Sequence, residues 1–212
     1  MVLREFNGLS YMLVPASATT PASAARLSKK RKTITRTFRV DEDIDERLQQ
    51  LSESMGVSTN LLANRALRKF VEWDDYAEKF GFFTWPSALV VAMMEAIPDE
   101  EVSRLGLWAG SNIWKEVIFF WFKEISTENL IDALVALFPK YAKGFDCEYL
   151  SDATNGKHVI VIKHGLGRKW SVYYEHMLKG LFGKENKDIE IHAMENQLVV
   201  HTQNHRCSYD VK

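Results

Sequence analysis

The stretch KTITRTFRVDEDIDERLQQLSESMGVSTNLLANRALRKF, residues 32–70, carries the most regular pattern of the 212-residue chain. Its opening part, residues 33–41, alternates between two faces, which predicts a short β-strand. One face is largely apolar and consists of Ile34, Arg36, Phe38 and Val40. The other face is polar and consists of Thr33, Thr35, Thr37 and Arg39.

Two amphipathic helices are predicted after this strand. Asp41 or Asp43 can cap the first helix, and Gly56 suits its left-handed C-terminal position. Its apolar stripe has helical spacing and consists of Ile44, Leu48, Leu51 and Met55. Ser58 can cap the second helix, which is expected to run towards Gly81. The stripe of the second helix consists of Leu62, Ala66 and Phe70.

A strand, a helix, a GVSTN turn and a second helix, placed behind basic residues, resemble the ribbon-helix-helix family of DNA-binding proteins, the Arc and MetJ type. The resemblance covers residues 32–70. It implies an intertwined homodimer whose paired strands enter the major groove of double-stranded DNA. A unit of this size cannot bury a core alone. The two chains would share a core made of Phe38, Val40, Ile44, Leu48, Leu51, Leu62, Ala66 and Phe70.

By the pattern of this family, the polar strand face carries the base-reading residues Thr35, Thr37 and Arg39. The Arg39 guanidinium can bind guanine through two hydrogen bonds. Phosphates are expected at the start of the second helix, where Ser58 and Asn60 occupy the family's phosphate-binding positions. The alternative is that the threonines reflect strand propensity, Arg39 is a solvated charge and Ser58 is only a helix cap.

Charge is distributed unevenly along the chain. Residues 1–40 contain eight Lys or Arg and one acid, a net charge of +7, whereas residues 41–212 have a net charge of −8. Basic residues before the strand are expected to contact DNA phosphates without sequence preference. They are Lys29, Lys30, Arg31 and Lys32. A solvated basic tail is the alternative. Arg36 departs from the family pattern, in which an apolar residue is usual at that position.

The rest of the chain predicts a second domain over residues 82–205, helical at first and then ββαββ. Residues 113–122 are apolar nearly all round, which predicts a central buried helix. In the last predicted hairpin, Ala193 faces Leu198 and Ile191 faces Val200. The predicted fold class is therefore α+β. The expected domains are a disordered tail (1–28), a ribbon-helix-helix domain (29–80), the second domain (82–205) and a tail (206–212).

The function of residues 82–205 is less clearly marked. Their element order alone resembles the vinyl-reductase-like and haem-nitric-oxide-sensor superfamily, which implies a small-ligand domain. Residues 86–140 contain no histidine, which disfavours haem. Tryptophans at 73, 85, 108, 114 and 121 suit either a pocket or, more simply, a core. A soft metal could bind the side chains of His201, His205 and Cys207 at their spacing. The expected interpretation is that these residues occur together incidentally in a tail. No metal or cofactor is therefore predicted.

Several function classes are disfavoured by the sequence. Two cysteines do not make a disulfide framework, and no secretory signal or membrane-spanning run is found. No catalytic motif is found, so we expect a non-enzymatic, cytoplasmic, nucleoid-associated transcriptional regulator. Its second domain would bind a small-molecule effector or mediate oligomerisation. The alternatives are an antitoxin-type protein that neutralises a partner protein, and a ligand-binding or enzymatic domain tethered to DNA.

Overall fold

A computed structural model describes residues 2–6, 9–13, 33–152, 157–183 and 189–203. The fold is α+β, as predicted, with a four-stranded antiparallel sheet among these residues. The described residues fall into two compact units, with the boundary between Phe83 and Thr84. We call them unit 1 and unit 2. Among the described residues, no helix has both the length and the apolar character needed to cross a membrane.

Unit 1 contains a hairpin and a run of helices. Its elements are β1 (Val2–Phe6), β2 (Leu9–Leu13), α1 (Glu42–Met55), α2 (Thr59–Lys69), the π-helical segment π1 (Phe70–Asp74) and α3 (Asp75–Lys79). The antiparallel strands β1 and β2 lie within the tail, residues 1–28, that was predicted to be disordered. That prediction rested on the Pro, Ala, Ser and Thr run at 15–25, which lies outside the described residues, whereas both strands are rich in apolar residues.

Residues 33–40 form no strand in the structure, contrary to the prediction of a strand over 33–41. A β-strand is held by hydrogen bonds to a neighbouring strand. Among the described residues, the two sheets consist of β1–β2 and of four strands in unit 2, so no segment of the same chain pairs with 33–40. The sequence pattern of a strand is present, but the described part of the chain supplies no partner for it.

The predicted helical hairpin is confirmed. Helix α1 ends at Gly56, whose φ of 62° is left-handed and whose N–H donates to the carbonyl of Glu53. Ser58 caps α2. The second helix continues through π1 into α3, close to the expected end at Gly81. A π segment closes hydrogen bonds one residue further along the chain than an α-helix does, so it inserts one residue without breaking the helix.

Within its described residues, unit 2 has three continuous helices before its sheet and a fourth between the two hairpins of the sheet. Their parts are α4 (Ser87–Glu95), α5 (Asp99–Ala109), π2 (Gly110–Trp114), α6 (Lys115–Phe122), α7 (Thr127–Asp132), π3 (Ala133–Leu137), α8 (Phe138–Tyr141) and α9 (Arg168–Phe182). The helix predicted over residues 113–122 is present as part of the longer helix made of α5, π2 and α6. Its predicted burial is confirmed in α6 by Val117, Ile118, Phe120 and Trp121.

The sheet of unit 2 has the order β3-β4-β6-β5, with every neighbouring pair antiparallel. Its strands are β3 (Asp146–Asp152), β4 (Lys157–Lys163), β5 (Ile189–Ala193) and β6 (Gln197–Gln203). The predicted register is confirmed, because Ala193 pairs with Leu198 and Ile191 with Val200. One face of β4 and β6 is fully buried and consists of Ile160, Ile162, Leu198 and Val200. Helix α9 lies against β5 and β6.

Helices α5 and α9 approach each other very closely. Gly106 and the π2 residue Gly110 face the backbone of α9, and Gly180 of α9 faces the backbone of α5. A Cβ at Gly110 would overlap the carbonyl group of Met177. The two helices are therefore packed backbone against backbone, and together they position the start of α9 beside the sheet.

Candidate nucleic-acid interface

The predicted base-reading residues lie in the unpaired segment 33–40. Thr35, Thr37 and Arg39 are all exposed to solvent. The opposite face is also exposed, since Ile34 is 69% and Phe38 65% accessible. In an antiparallel pair of strands, the apolar face is commonly packed on a core and the polar face is solvated. In the described part of the chain, the apolar face of this segment lacks such a core.

The apolar stripes of α1 and α2 are also incompletely covered. No residue of either helix is buried. Val40, Ile44 and Phe70 are 51%, 50% and 58% exposed. The remaining predicted core residues are half-buried in the case of Leu48, Leu51 and Leu62, and exposed in the case of Ala66. Burying apolar surface stabilises a protein by about 25 cal/mol per Å², so this helix pair would gain further stability if another surface covered its stripes.

The start of α2 offers hydrogen-bond donors. The Leu61 N–H donates to Ser58 Oγ over 3.2 Å, which makes Ser58 the cap of the helix. Asn64 donates its side-chain amide to Asn60 Oδ1 over 3.1 Å, which leaves the amino group of exposed Asn60 as a donor. The first turn of a helix also presents backbone N–H groups and the positive end of the helix dipole. These groups suit an anion such as a phosphate.

Unit 1 carries exposed arginines both on segment 33–40 and on its helices. Further along α2 and α3 the cations are neutralised, because Arg68 pairs with Glu72, Lys69 with Asp74 and Lys79 with Asp75. Among the described residues of unit 1, Arg36, Arg39 and Arg65 take part in no ion pair of this kind and are exposed. The predicted phosphate-contacting residues Lys29, Lys30, Arg31 and Lys32 lie outside the described residues.

Unit 2 contains a buried polar network at the start of α9. His164 is buried, and its Nδ1 accepts a hydrogen bond from the Leu166 N–H over 3.3 Å. Its Nε2 therefore carries the proton and donates to Ser171 Oγ over 3.0 Å. Ser171 in turn donates to the carbonyl of Glu195 over 3.1 Å. Burial lowers the pKa of His164 from its ordinary value of 6.5.

This network joins three distant parts of the chain. The backbone carbonyl of Asn196 accepts a hydrogen bond from the backbone N–H of His164. The side-chain oxygen of Asn196 accepts a second hydrogen bond, from the Gly167 N–H over 2.9 Å. The β5–β6 turn, the end of β4 and the start of α9 are thus held together. The Ser171 hydroxyl is already engaged with a carbonyl, so the arrangement fits a structural link better than an activated nucleophile. The sequence alone does not connect His164 with Ser171 and Glu195, because no local spacing joins the three residues.

A cleft of about 570 Å³ lies beside this network. Its lining includes Lys143, Phe145, Lys163 and His164. Lys163 is paired with Glu148 over 2.6 Å, so part of the positive charge at the cleft is neutralised. The cleft has room for a small molecule.

Other candidate groups in unit 2 are explained by packing. Trp121 is 4% exposed and belongs to the core, and Trp114 packs edge-on against Phe138. Burial, with a smaller contribution from Glu148, raises the pKa of Cys147 to about 12, so its thiol stays protonated and is a poor nucleophile. His201 lies exposed on β6, and His205 and Cys207 lie outside the described residues. The described residues contain no group of three or more His, Cys, Asp or Glu side chains placed to hold a metal ion.

Unit 1 thus presents exposed apolar stripes, an unpaired segment with a polar face and the donor-rich start of a helix. Comparisons with protein-family models, with curated proteins and with solved structures gave no match to this chain.

Proposed function

We propose that the protein is a sequence-specific DNA-binding transcriptional regulator that acts as a homodimer. Segments 33–40 of two chains would pair antiparallel and form a ribbon for the major groove. Thr35, Thr37 and Arg39 would read the bases. Ser58 and Asn60 would bind phosphates at the start of α2. Unit 2 would sense a ligand or mediate oligomerisation.

The observation that carries this proposal is that no predicted dimer-core residue is buried in the single chain: five are exposed and three are half-buried. Segment 33–40 has no strand partner among the described residues, and α1 and α2 contain no buried residue. A second copy supplies both missing parts at once, because it offers an identical strand for pairing and an identical apolar stripe for packing. The basic segment before 33–40 adds attraction to a polyanion. Resemblance to the ribbon-helix-helix family supports the same arrangement.

The proposal is tested by separating base reading from general attraction to DNA. DNA fragments selected from a random pool by the purified protein first supply a cognate duplex. Competition binding at fixed salt then compares the cognate with a scrambled duplex. Each good bidentate arginine–guanine pair contributes about 1–3 kcal/mol of discrimination. Arg39→Ala is therefore expected to lose roughly 2–6 kcal/mol of cognate binding per dimer, with little change on scrambled DNA.

Arg36→Ala is the matched control. It removes the same charge three residues earlier, from the face that is expected to point away from the bases. It should affect both duplexes about equally and only weakly. Equal losses on both duplexes for Arg39→Ala, or a larger specificity loss for Arg36→Ala, would mean that the faces of the segment are assigned the wrong way round.

A further inference from the structure

Helix α4 in unit 2, Ser87–Glu95, presents an apolar surface to solvent. Its first eight residues carry no charged side chain, and only Met94 is buried. Leu89 is 48% and Met93 49% exposed. A surface helix normally turns its apolar side chains towards a core and its charged ones towards water. A contiguous apolar surface of this kind is typical of a site that another protein surface covers.

The orientation of α4 within unit 2 is set at its C-terminal end. Lys169 on α9 donates to the carbonyl of Glu95 over 2.8 Å and to that of Ile97 over 2.7 Å. Met94 is only 4% exposed on the opposite side of the helix from the apolar surface. These contacts tie α4 to unit 2 while Leu89 and Met93 remain outside. The exposed surface is thus a fixed feature of unit 2.

The exposed side of α4 is complementary to a copy of itself. Large side chains, Leu89 and Met93, alternate with small exposed ones, Ala88, Ala92 and Ala96. We call these five residues the α4 surface. Rows of large side chains on one helix pack into the grooves that small side chains leave on another. A two-fold axis brings the same patch of two subunits together, so large residues of each copy meet small residues of the other.

We propose that the α4 surface packs against the α4 surface of a second copy of this chain. The inference rests on the proposed dimer of unit 1. Only Thr84–Pro86 separate unit 1 from α4. A dimer formed through unit 1 therefore holds two α4 helices at an effective concentration on the order of millimolar. Since the first eight residues of α4 carry no charge, neither a nucleic acid nor a charged protein is matched to this surface.

The contact gives unit 2 a role in DNA binding. Two weak contacts joined by a short connection act as one stronger contact, because forming the second contact costs less entropy once the first has formed. The α4 contact would keep the two 33–40 segments together at concentrations at which unit 1 alone would dissociate. Anything that separates the two copies of unit 2 would then weaken binding to DNA.

Cysteine cross-linking of the full chain tests the contact. In a background carrying Cys147→Ser and Cys207→Ser, Met93→Cys places a thiol in the middle of the α4 surface. Glu124→Cys, at an exposed position outside α4, is the matched control. Mild oxidation at micromolar protein is expected to convert most of the Met93→Cys chains into covalent dimers, at least about tenfold faster than Glu124→Cys. Non-reducing gels measure both rates.

Sedimentation of the full chain separates this inference from the proposed function. Leu48→Asp, which places a charge in the proposed core of unit 1, and Met93→Glu are each expected to raise the dimer dissociation constant at least about tenfold. If Leu48→Asp does so but Met93→Cys cross-links no faster than Glu124→Cys, the α4 contact is wrong and the proposed function stands. If Met93→Cys cross-links rapidly while Leu48→Asp leaves the dimer intact, the α4 contact stands and the unit 1 dimer fails. A wild-type chain that is monomeric at these concentrations overturns both.

Discussion

His164 is a histidine whose proton position is fixed by its neighbours. Its Nδ1 accepts from a backbone N–H and its Nε2 donates to Ser171. Adding a second proton would place a hydrogen on Nδ1, where it faces the Leu166 N–H. The charged ring would also be buried. Both effects favour the neutral ring in the folded protein, in line with the lowered pKa.

The stability of unit 2 is therefore expected to depend on pH through His164. The unfolded chain binds a proton as the pH falls below the ordinary pKa of 6.5, whereas the folded chain resists until a lower pH. The stabilising contribution is present above that pKa and is lost as the pH falls through the folded-state pKa. Urea unfolding at pH 7.5 and at pH 5, followed by tryptophan fluorescence, should show a steeper loss for wild type than for His164→Asn.

The asparagine variant is chosen because its Oδ1 can still accept from the Leu166 N–H. His192→Asn, which removes an exposed histidine, serves as the control. An identical pH dependence for wild type and His164→Asn would exclude His164 as the group responsible.

The closest contact between elements is the crossing of α5 and α9. Glycine in a helix interior usually costs about 0.5–1 kcal/mol relative to alanine. At Gly110 we expect glycine to be more stabilising than alanine, because the methyl group of alanine would meet the backbone of Met177 rather than a movable side chain. Gly110→Ala should lower the free energy of unfolding by about 1–3 kcal/mol.

Gly165→Ala is the control for this prediction. No atom lies within 4 Å of a Cβ placed at Gly165, so the change should stay within about 0.5 kcal/mol. Urea denaturation of both variants gives the comparison. A Gly110→Ala protein as stable as wild type would mean that the two helices can separate without cost.

The spacing of apolar residues predicted the helices of this chain well. The features that it missed depend on structure that local spacing does not encode. The stripe of α1, the cap at Ser58 and the pairing of Ile191 with Val200 follow from local spacing. The π segments were not predicted, because one inserted residue hardly disturbs an apolar run. The network of His164, Ser171 and Glu195 depends on strand pairing between distant segments, which no local pattern encodes. The alternating pattern of 33–41 indicates a strand but not its partner, and no strand partner for this segment lies among the described residues.

At the scale of the whole molecule, positive charge is concentrated in the first 40 residues, and the rest of the chain has a net negative charge. The basic segment Lys29–Lys32 directly precedes segment 33–40, while residues 41–212 have a net charge of −8. Deleting residues 1–32 is therefore expected to weaken DNA binding and to reduce its salt dependence. The slope of log affinity against log salt should fall by about 0.9 for each phosphate that the shortened protein no longer neutralises, with sequence preference retained.

Deleting only residues 1–28 provides the control, because it keeps all four basic residues. Binding to cognate and scrambled duplexes across a salt series measures both slopes. An unchanged slope after removal of residues 1–32 would show that the basic segment is solvated and does not touch DNA.

The order β3-β4-β6-β5 also bears on how unit 2 folds. Each outer pair of strands is a local hairpin, and hairpins form within about 1–10 μs. The central pair is different, since Lys163 meets Gln197 only after the chain has passed through the whole of α9 and β5. Closing so long a loop costs entropy before any contact compensates for it. We therefore expect the two hairpins to form early and separately, and the joining of β4 to β6, with α9 docked beside them, to be the slow step that completes unit 2.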